Sequence, residues 1–174
     1  DVFRMITTPE SRFSELWSIQ EKELFSLKEM AQHWKNAEAL LAQDARVALR
    51  YAQKVLNGPF KGAESVLAQD PHLALQYAQE VLKGPFPAAE ATIATNAGAA
   101  LLYAQTVLQD RFHAAEPVIA AAPLSALVYA SLFIKGPWPE AEPTIATSAT
   151  WSVKYSRDCI KGRWLPGESI LASS

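Results

Sequence analysis

Residues 85–110 read PFPAAEATIATNAGAALLYAQTVLQD, and this stretch is one unit of a tandem repeat. Tyrosine sets the period, because every tyrosine of the chain follows the previous one after 26 residues. The members of this column are Tyr51, Tyr77, Tyr103, Tyr129 and Tyr155. Self-similarity at a fixed period of this size is the signature of a repeat architecture, in which stacked units share one continuous core.

Further columns keep the same interval. An aromatic residue recurs at Trp34, Phe60, Phe86, Phe112, Trp138 and Trp164. A glutamate recurs at Glu38, Glu64, Glu90, Glu116, Glu142 and Glu168. Glycine recurs at Gly58, Gly84, Gly136 and Gly162, with Asp110 in its place once. The agreement of several columns without gaps indicates one ordered array.

The second half of each unit has the pattern of an amphipathic helix. Ala100, Tyr103, Ala104 and Val107 lie at i, i+3, i+4 and i+7, which is one helical face, and they predict a helix of about twelve residues. Good N-cap residues precede it at Asp44, Asp70, Asn96 and Ser148. Pro71 and Pro123 occupy the first helical position. The glycine column is expected to supply the left-handed residue that ends this long helix.

The first half of each unit predicts a shorter helix of about two turns, as in residues 87–95. Pro87 and Pro139 mark its start, while Pro117 and Pro143 fit within its first turn, where amides lack a partner inside the helix. Such a short helix is unstable alone, so stability must come from stacking each helix pair on its neighbours.

These patterns predict an all-α fold, an α-solenoid of stacked short helix pairs that winds as a right-handed superhelix or an arc. Residues 1–33 form a degenerate N-terminal repeat of capping helices, and residues 34–174 hold five αα repeats plus a terminal half-repeat. A leucine-rich repeat has a similar period but needs an L-x-x-L-x-L strand pattern, which the chain lacks.

Composition excludes several classes of protein. The chain has 174 residues with a net charge of −2, so no global field draws it to nucleic acid or to an anionic membrane. Cys159 is the only cysteine and falls in an apolar column, so we expect a packed thiol and no disulfide. No run approaches the ~20 apolar residues of a membrane span. We expect a soluble, cytoplasmic protein. The chain begins at Asp1 instead of methionine, so three interpretations stay open: a processed chain, a trimmed chain, or a piece of a longer protein.

The segments 135–146 (KGPWPEAEPTIA) and 161–164 (KGRW), which alternate with Tyr-Ala pairs, resemble a short helical repeat of bacteriophage and bacterial proteins. Its consensus runs K-G-R-W-P-E-A-E-P-x-I-A, then variable residues, then Y-A-x-x-V. The resemblance covers residues 34–174 and implies an all-helical array of phage or mobile-element origin, with no catalytic residues. The chain departs from the consensus at Lys35-Asn36, Lys61-Gly62 and Asp110-Arg111.

Residues that could carry chemistry are few. The glutamate column could hold cations or a basic partner, but we expect it to stabilise helix starts and to reach Lys83, Lys135 or Lys161. The tyrosine column could stack bases, but core packing is the better interpretation. His33, His72 and His113 have no ligand spacing, and no catalytic motif is present. We therefore expect no enzyme activity, no metal and no cofactor.

The sequence predicts a scaffold that binds another protein or peptide, with its oligomeric state left open. Specificity would come from residues that vary between repeats, with Trp151 as an off-pattern aromatic. The predicted binding residues are Arg46, Arg50, His72, Gln76, Trp151, Lys154 and Arg157. Two alternatives are a protein that binds a small molecule or nucleotide, and, less favoured, one that binds nucleic acid through basic residues of the last repeat, including Lys161 and Arg163.

Overall fold

The computed structural model describes Gln32 and residues 35–171, without the side chains of Ile170 and Leu171. The chain forms two compact units, Asp1–Leu41 and Ala42–Ser174. In the first unit the described residues 35–41 are helical. Apart from Gln32, the predicted N-terminal capping repeat of residues 1–33 lies outside the described residues. Everything below concerns the second unit.

A long helix recurs once per repeat. Its α-helical parts are α1 (Ala45–Tyr51), α3 (Pro71–Gln76), α5 (Ala97–Tyr103), α7 (Pro123–Tyr129) and α9 (Ala149–Tyr155). Each continues without a break into wider π-helical turns, at Ala52–Leu56, Tyr77–Leu82, Ala104–Leu108, Ala130–Ile134 and Ser156–Ile160. The two parts together have the length that the repeat pattern predicts.

A short helix follows each long one. The short helices are α2 (Glu64–Leu67), α4 (Pro87–Ile93), α6 (Glu116–Ala120), α8 (Glu142–Ile145) and α10 (Leu165–Leu171). Pro87 begins α4, and Pro117 and Pro143 lie in the first turns of α6 and α8, as predicted. The prediction for Pro139 was wrong, because this residue lies in a turn before α8.

Side-chain caps begin three of the long helices. Asp44 Oδ1 accepts hydrogen bonds from the amides of Arg46 and Val47 at 2.9 and 3.1 Å, and Asp70 does the same in α3. Asn96 accepts one such bond in α5. Ser148 was predicted to cap α9 but makes no side-chain bond to a first-turn amide.

The long helices end differently from the prediction. The left-handed residue is the one before the glycine column: Asn57, Lys83, Gln109, Lys135 and Lys161, with φ between 49° and 58°. No glycine of the described chain has positive φ. The shift accompanies the π-helical last turn, in which the amides of both Asn57 and Gly58 reach back to the carbonyl of Ala52.

Successive long helices pack on one another, and each short helix packs on the long helix before it. Fully buried alanines, such as Ala74, Ala78, Ala100 and Ala104, line the contact and allow the backbones to approach closely. Over the described ranges the fold is helical, with no strand. The predicted all-α stack of short helix pairs is therefore confirmed, and its right-handed winding stays a prediction.

Candidate functional site

The tyrosine column is the structural link between layers. In four of the tyrosines the phenol oxygen accepts a hydrogen bond from the backbone N–H of the aromatic residue 17 positions earlier and donates one to the glutamate 13 positions earlier, as Tyr77 does with Phe60 and Glu64. For Tyr103 the partners are Phe86 N at 2.8 Å and Glu90 Oε1 at 2.9 Å. The same arrangement, here named the tyrosine triad, recurs at Tyr77, Tyr129 and Tyr155.

The ring of each tyrosine also contacts the following layer. Tyr103 lies 5.3 Å from the ring of Phe112, and the Tyr155–Trp164 distance is 4.9 Å. Aromatic pairs at such separations add favourable edge and offset contacts to the burial of their area. One side chain thus binds the short helix of its own repeat by its hydroxyl and contacts the next repeat by its ring, and Tyr103 itself is fully buried.

Burial raises the pKa of Tyr77, Tyr103 and Tyr129 to about 12, and the neighbouring carboxylates add to this effect. Burial also raises the pKa of Tyr155. A phenol that donates to a carboxylate must keep its proton, so the geometry and the pKa shifts agree. The triads are therefore packing devices, which confirms core packing as the role of the tyrosine column.

The glutamate column has a different partner from the predicted one. In the described chain none of Lys83, Lys135 and Lys161 forms an ion pair with the glutamate of its layer. The carboxylates of Glu64, Glu90 and Glu142 accept the tyrosine hydroxyl instead. Recurrence in every layer reflects this structural role.

The best candidate for a binding surface is a face of the long helices that no other described element covers. We name it the long-helix face. Its residues lie at i, i+4 and i+8 of each helix: Arg46, Arg50, Lys54, His72, Gln76, Glu80, Gly98, Leu102, Thr106, Leu124, Val128, Leu132, Thr150, Lys154 and Asp158. All are exposed except Gln76 and Val128, which are half-buried, and the residue type changes from helix to helix.

The row on α7 and its π-helical continuation is apolar throughout. Leu124 is 58% exposed and Leu132 is 40% exposed, and Val128 lies between them. Leu102, 46% exposed, extends the patch onto α5. None of these apolar residues is among the predicted binding residues, although the spacing of Leu124 and Leu132, four residues on either side of Val128, could have revealed the row.

The other end of the face is basic. Arg46, Arg50 and Lys54 form the row of α1, and all three are exposed. On the next long helix, which begins with α3, Glu80 accepts hydrogen bonds from Gln53 at 2.8 Å and from Gln76 at 2.9 Å. These bonds hold Gln76 and Glu80 of the long-helix face in a surface network. The face therefore runs from three positive charges on α1 to an apolar patch on α7.

The predicted binding residues fall into two groups. Five of them, Arg46, Arg50, His72, Gln76 and Lys154, lie on the long-helix face. Trp151 is half-buried beside it, and the Lys154 ammonium lies 5.1 Å from its ring, a cation–π contact. Arg157 lies outside the face and pairs with Asp158 at 2.6 Å.

A cavity of about 710 Å³ lies away from this face, between α6 and α8. Arg111, His113 and Glu116 line one side, and Pro137, Glu140 and Thr144 line the other. Burial alone would raise the pKa of Glu116, but hydrogen bonds from Arg111 and Tyr129 outweigh it and lower that pKa. The sequence shows Asp110-Arg111 as a departure from the repeat, but nothing in it predicts that Arg111 and Glu140 line the same cavity.

The described residues contain no cluster of three or more His, Cys, Asp or Glu side chains able to hold a metal ion. None of the helices in the described ranges is both long and apolar enough to cross a bilayer. No family model, curated protein or solved structure matches the chain. The likeness to the phage and bacterial repeat therefore stays a prediction.

Proposed function

We propose that this chain is a non-catalytic repeat scaffold that binds another protein or peptide through the long-helix face. One observation carries the proposal: fifteen positions on five consecutive helices remain open to solvent and differ between layers, while the buried columns stay constant. Stacking requires the same residues in every layer. Variation confined to an exposed face is what a surface with position-specific contacts would have.

The apolar row on α7 supports a protein or peptide partner. Its leucines expose side chains that a partner would remove from water, and each fully buried leucine contributes about 1.5–3 kcal/mol. Contiguous exposed apolar patches rimmed by polar residues mark interaction sites. We propose Leu124, Val128 and Leu132 as the anchor of the interface.

The basic row on α1 supports a preference for acidic partners. Arg46, Arg50 and Lys54 place three positive charges at one end of the face. Charge complementarity of this kind favours one orientation and one class of partner. The partner would be a segment with apolar residues at one end and acidic residues at the other.

The proposal includes a cytoplasmic location and an origin in a phage or mobile element. Cys159 is the only cysteine of the chain and is buried, so the fold needs no oxidising compartment to form a disulfide, which is compatible with this location. The repeat motifs support the origin.

Nucleic-acid binding is the weaker alternative. Two of the four basic residues at the end of the array are already paired, Arg157 with Asp158 and Arg163 with Glu168, both at 2.6 Å. A nucleic-acid complex would weaken steeply as the salt concentration rises. Binding measured at several salt concentrations therefore distinguishes this alternative from the proposed protein partner.

Selection of binders from a random peptide library tests the proposal. We expect selected peptides to combine leucine-like residues with Asp or Glu, and the double variant Leu124→Ser/Leu132→Ser to weaken their binding at least ~10-fold, equal to about 1.4 kcal/mol. Arg46→Glu/Arg50→Glu should shift the selection toward basic peptides. Leu165→Ser, at a residue 71% exposed outside the face, is the matched control. Equal binding by all folded variants would refute the proposed face.

A further inference from the structure

The cavity between α6 and α8 departs from the repeat on both of its walls. Asp110-Arg111 stands where three other connections have Gly-Pro, as at Gly84-Pro85, and where the last has Gly162-Arg163. Glu140 stands where the equivalent residues are Gly62, Ala88, Ala114 and Pro166. Within the array, only this pair of neighbouring connections combines an arginine on one wall with a glutamate at the position of Glu140 on the next. The cavity therefore has a set of charged groups that no other layer has.

The positive charge of Arg111 is neutralised within the wall. Its Nε and Nη2 atoms donate to the two carboxylate oxygens of Glu116 at 2.8 and 2.9 Å. The same Oε1 also accepts the hydroxyl of Tyr129 at 2.9 Å and lies 3.2 Å from Nδ1 of His113. A bidentate pair of this kind fixes the guanidinium in place. The charge of Glu116 is therefore compensated within the wall.

Glu140 is the uncompensated charge. It is exposed, and within the described part of the chain no hydrogen bond or ion pair engages its carboxylate. The charges of Arg111 and Glu116 cancel, so Glu140 contributes an additional negative charge to the lining. Electrostatic complementarity therefore favours a cation at this wall.

Apart from Thr144, the rest of the lining is apolar. Pro117 and Ala120 belong to α6 and Ala121 follows it, while Ile134, Pro137 and Pro139 come from the end of the long helix and the loop after it. The volume of about 710 Å³ falls in the range of about 300–1,000 Å³ that small-molecule sites occupy. Apolar walls with a few polar groups are the usual composition of such sites.

We propose that this cavity binds a small organic cation with an apolar body. The ammonium group faces Glu140, and the apolar body lies against Pro117, Ala121 and Pro137. The site is separate from the long-helix face, so it gives the scaffold a second, independent binding function.

Three probes of nearly equal shape test the proposal: 3-phenylpropylamine, 3-phenylpropanol and 3-phenylpropanoate. Their dissociation constants are measured on the whole chain by NMR titration. We expect the amine to bind about fivefold tighter than the alcohol, the gain of a single charge contact near water, and the carboxylate to bind weakest. Tightest binding by the carboxylate, or no binding by any probe, would overturn the proposal.

Amino-acid substitutions test whether the preference for the amine arises at this cavity. Glu140→Gln should remove the preference for the amine over the alcohol, while Glu80→Gln, which removes an equal charge on the long-helix face, should leave it unchanged. Arg111→Gln should strengthen amine binding, because it leaves Glu116 uncompensated; weaker binding would contradict the charge count. Ala121→Trp should block all three probes by filling the cavity. If it leaves binding intact, the probes bind elsewhere and the proposal fails.

Discussion

The phenol oxygen of Tyr103 lies 2.9 Å from Oε1 of Glu90, thirteen residues earlier and on the short helix of the same repeat. The same oxygen accepts the backbone amide of Phe86, whose side chain is itself buried. Neither partner is close to Tyr103 in sequence, so the contact exists only when the short and the long helix are packed together. It gives the packing of two helices, a largely non-directional process, a fixed register.

Replacement of Tyr103 by phenylalanine tests this link. Tyr103→Phe keeps the ring contact with Phe112 but leaves the Phe86 amide without its acceptor. An unsatisfied buried donor costs about 1–3 kcal/mol, so we expect a loss of that size in the free energy of unfolding. Urea denaturation measures it. Glu90→Gln, whose side-chain oxygen still accepts the hydroxyl, should cost less.

A double-mutant cycle separates the two partners of the hydroxyl. The variant Tyr103→Phe/Glu90→Gln should lose less than the sum of the single changes, because the first change removes and the second weakens the same bond. Strict additivity would show that the hydroxyl and the carboxylate contribute independently, contrary to the triad.

The left-handed ends of the long helices give a second prediction. Lys83 has φ of 52°, a conformation in which a side chain costs about 1 kcal/mol or more and glycine costs little. We expect Lys83→Gly to raise the free energy of unfolding by up to about 1 kcal/mol, a balance of removed strain and the greater entropy of glycine in the unfolded chain. Thermal melting provides the measurement.

The neighbouring glycine supplies the control. Gly84 has no positive φ, and a Cβ there would meet the Leu82 carbonyl oxygen at 3.9 Å, an ordinary contact. Gly84→Ala should therefore be tolerated. If Gly84→Ala is the damaging change and Lys83→Gly is neutral, the left-handed residue is the glycine.

Alkaline pH should weaken the array. The folded-state pKa of Tyr77, Tyr103 and Tyr129 is about 12, above the ordinary value of 10.0. Their contribution to stability is fully present below pH 10 and is lost as pH rises toward 12, since the unfolded chain ionises first. Unfolding and the ultraviolet absorbance of tyrosinate should change together. Tyr103→Phe should reduce the pH dependence, and an unchanged slope would argue against the raised pKa.

Close packing in the last layer gives a fourth prediction. A Cβ at Gly167 would lie 2.5 Å from Cε3 of Trp164 and 2.9 Å from Cβ of Ser152. Gly167→Ala should therefore cost about 1–3 kcal/mol through overpacking. The second change Trp164→Phe should recover part of the loss, because it removes Cε3 and Cζ3, the indole atoms that lie nearest to the added Cβ. Absence of rescue in denaturation experiments would place the conflict at Ser152.

The repeated helices of the fold could be predicted because every repeat needs the same residue types at the same positions. Tyr103, Ala104 and Val107 recur with their equivalents, and the helical period follows from their spacing. The partners of the hydroxyl could not be predicted, because a bond between residues 13 and 17 positions apart depends on how two helices stack. Helix dipole arguments led to Lys83 as a partner for Glu90, and the geometry favoured Tyr103.

For the candidate site, the sequence predicts which residues are exposed but does not predict which residues from different repeats lie close together. Exposure of Arg46 and His72 follows from their place on the helix, so sequence was sufficient there. The cavity between α6 and α8 was not foreseen, because Arg111 and Glu140 come from different repeats and meet only through tertiary packing. The sequence predicted a left-handed residue at Gly84, whereas the structure has it at Lys83, because a π-helical last turn moves the left-handed conformation one residue earlier.

The fixed separations of the triad also restrict how a gene for such an array can change in length. One codon added within α5 before Tyr103 would rotate the phenol about 100° around the helix axis and away from its acceptor. Duplication or deletion of a complete 26-residue unit keeps the spacing between each hydroxyl and its carboxylate. A gene for this array can therefore change length in whole modules without loss of a triad, whereas a single-codon insertion inside a long helix breaks one.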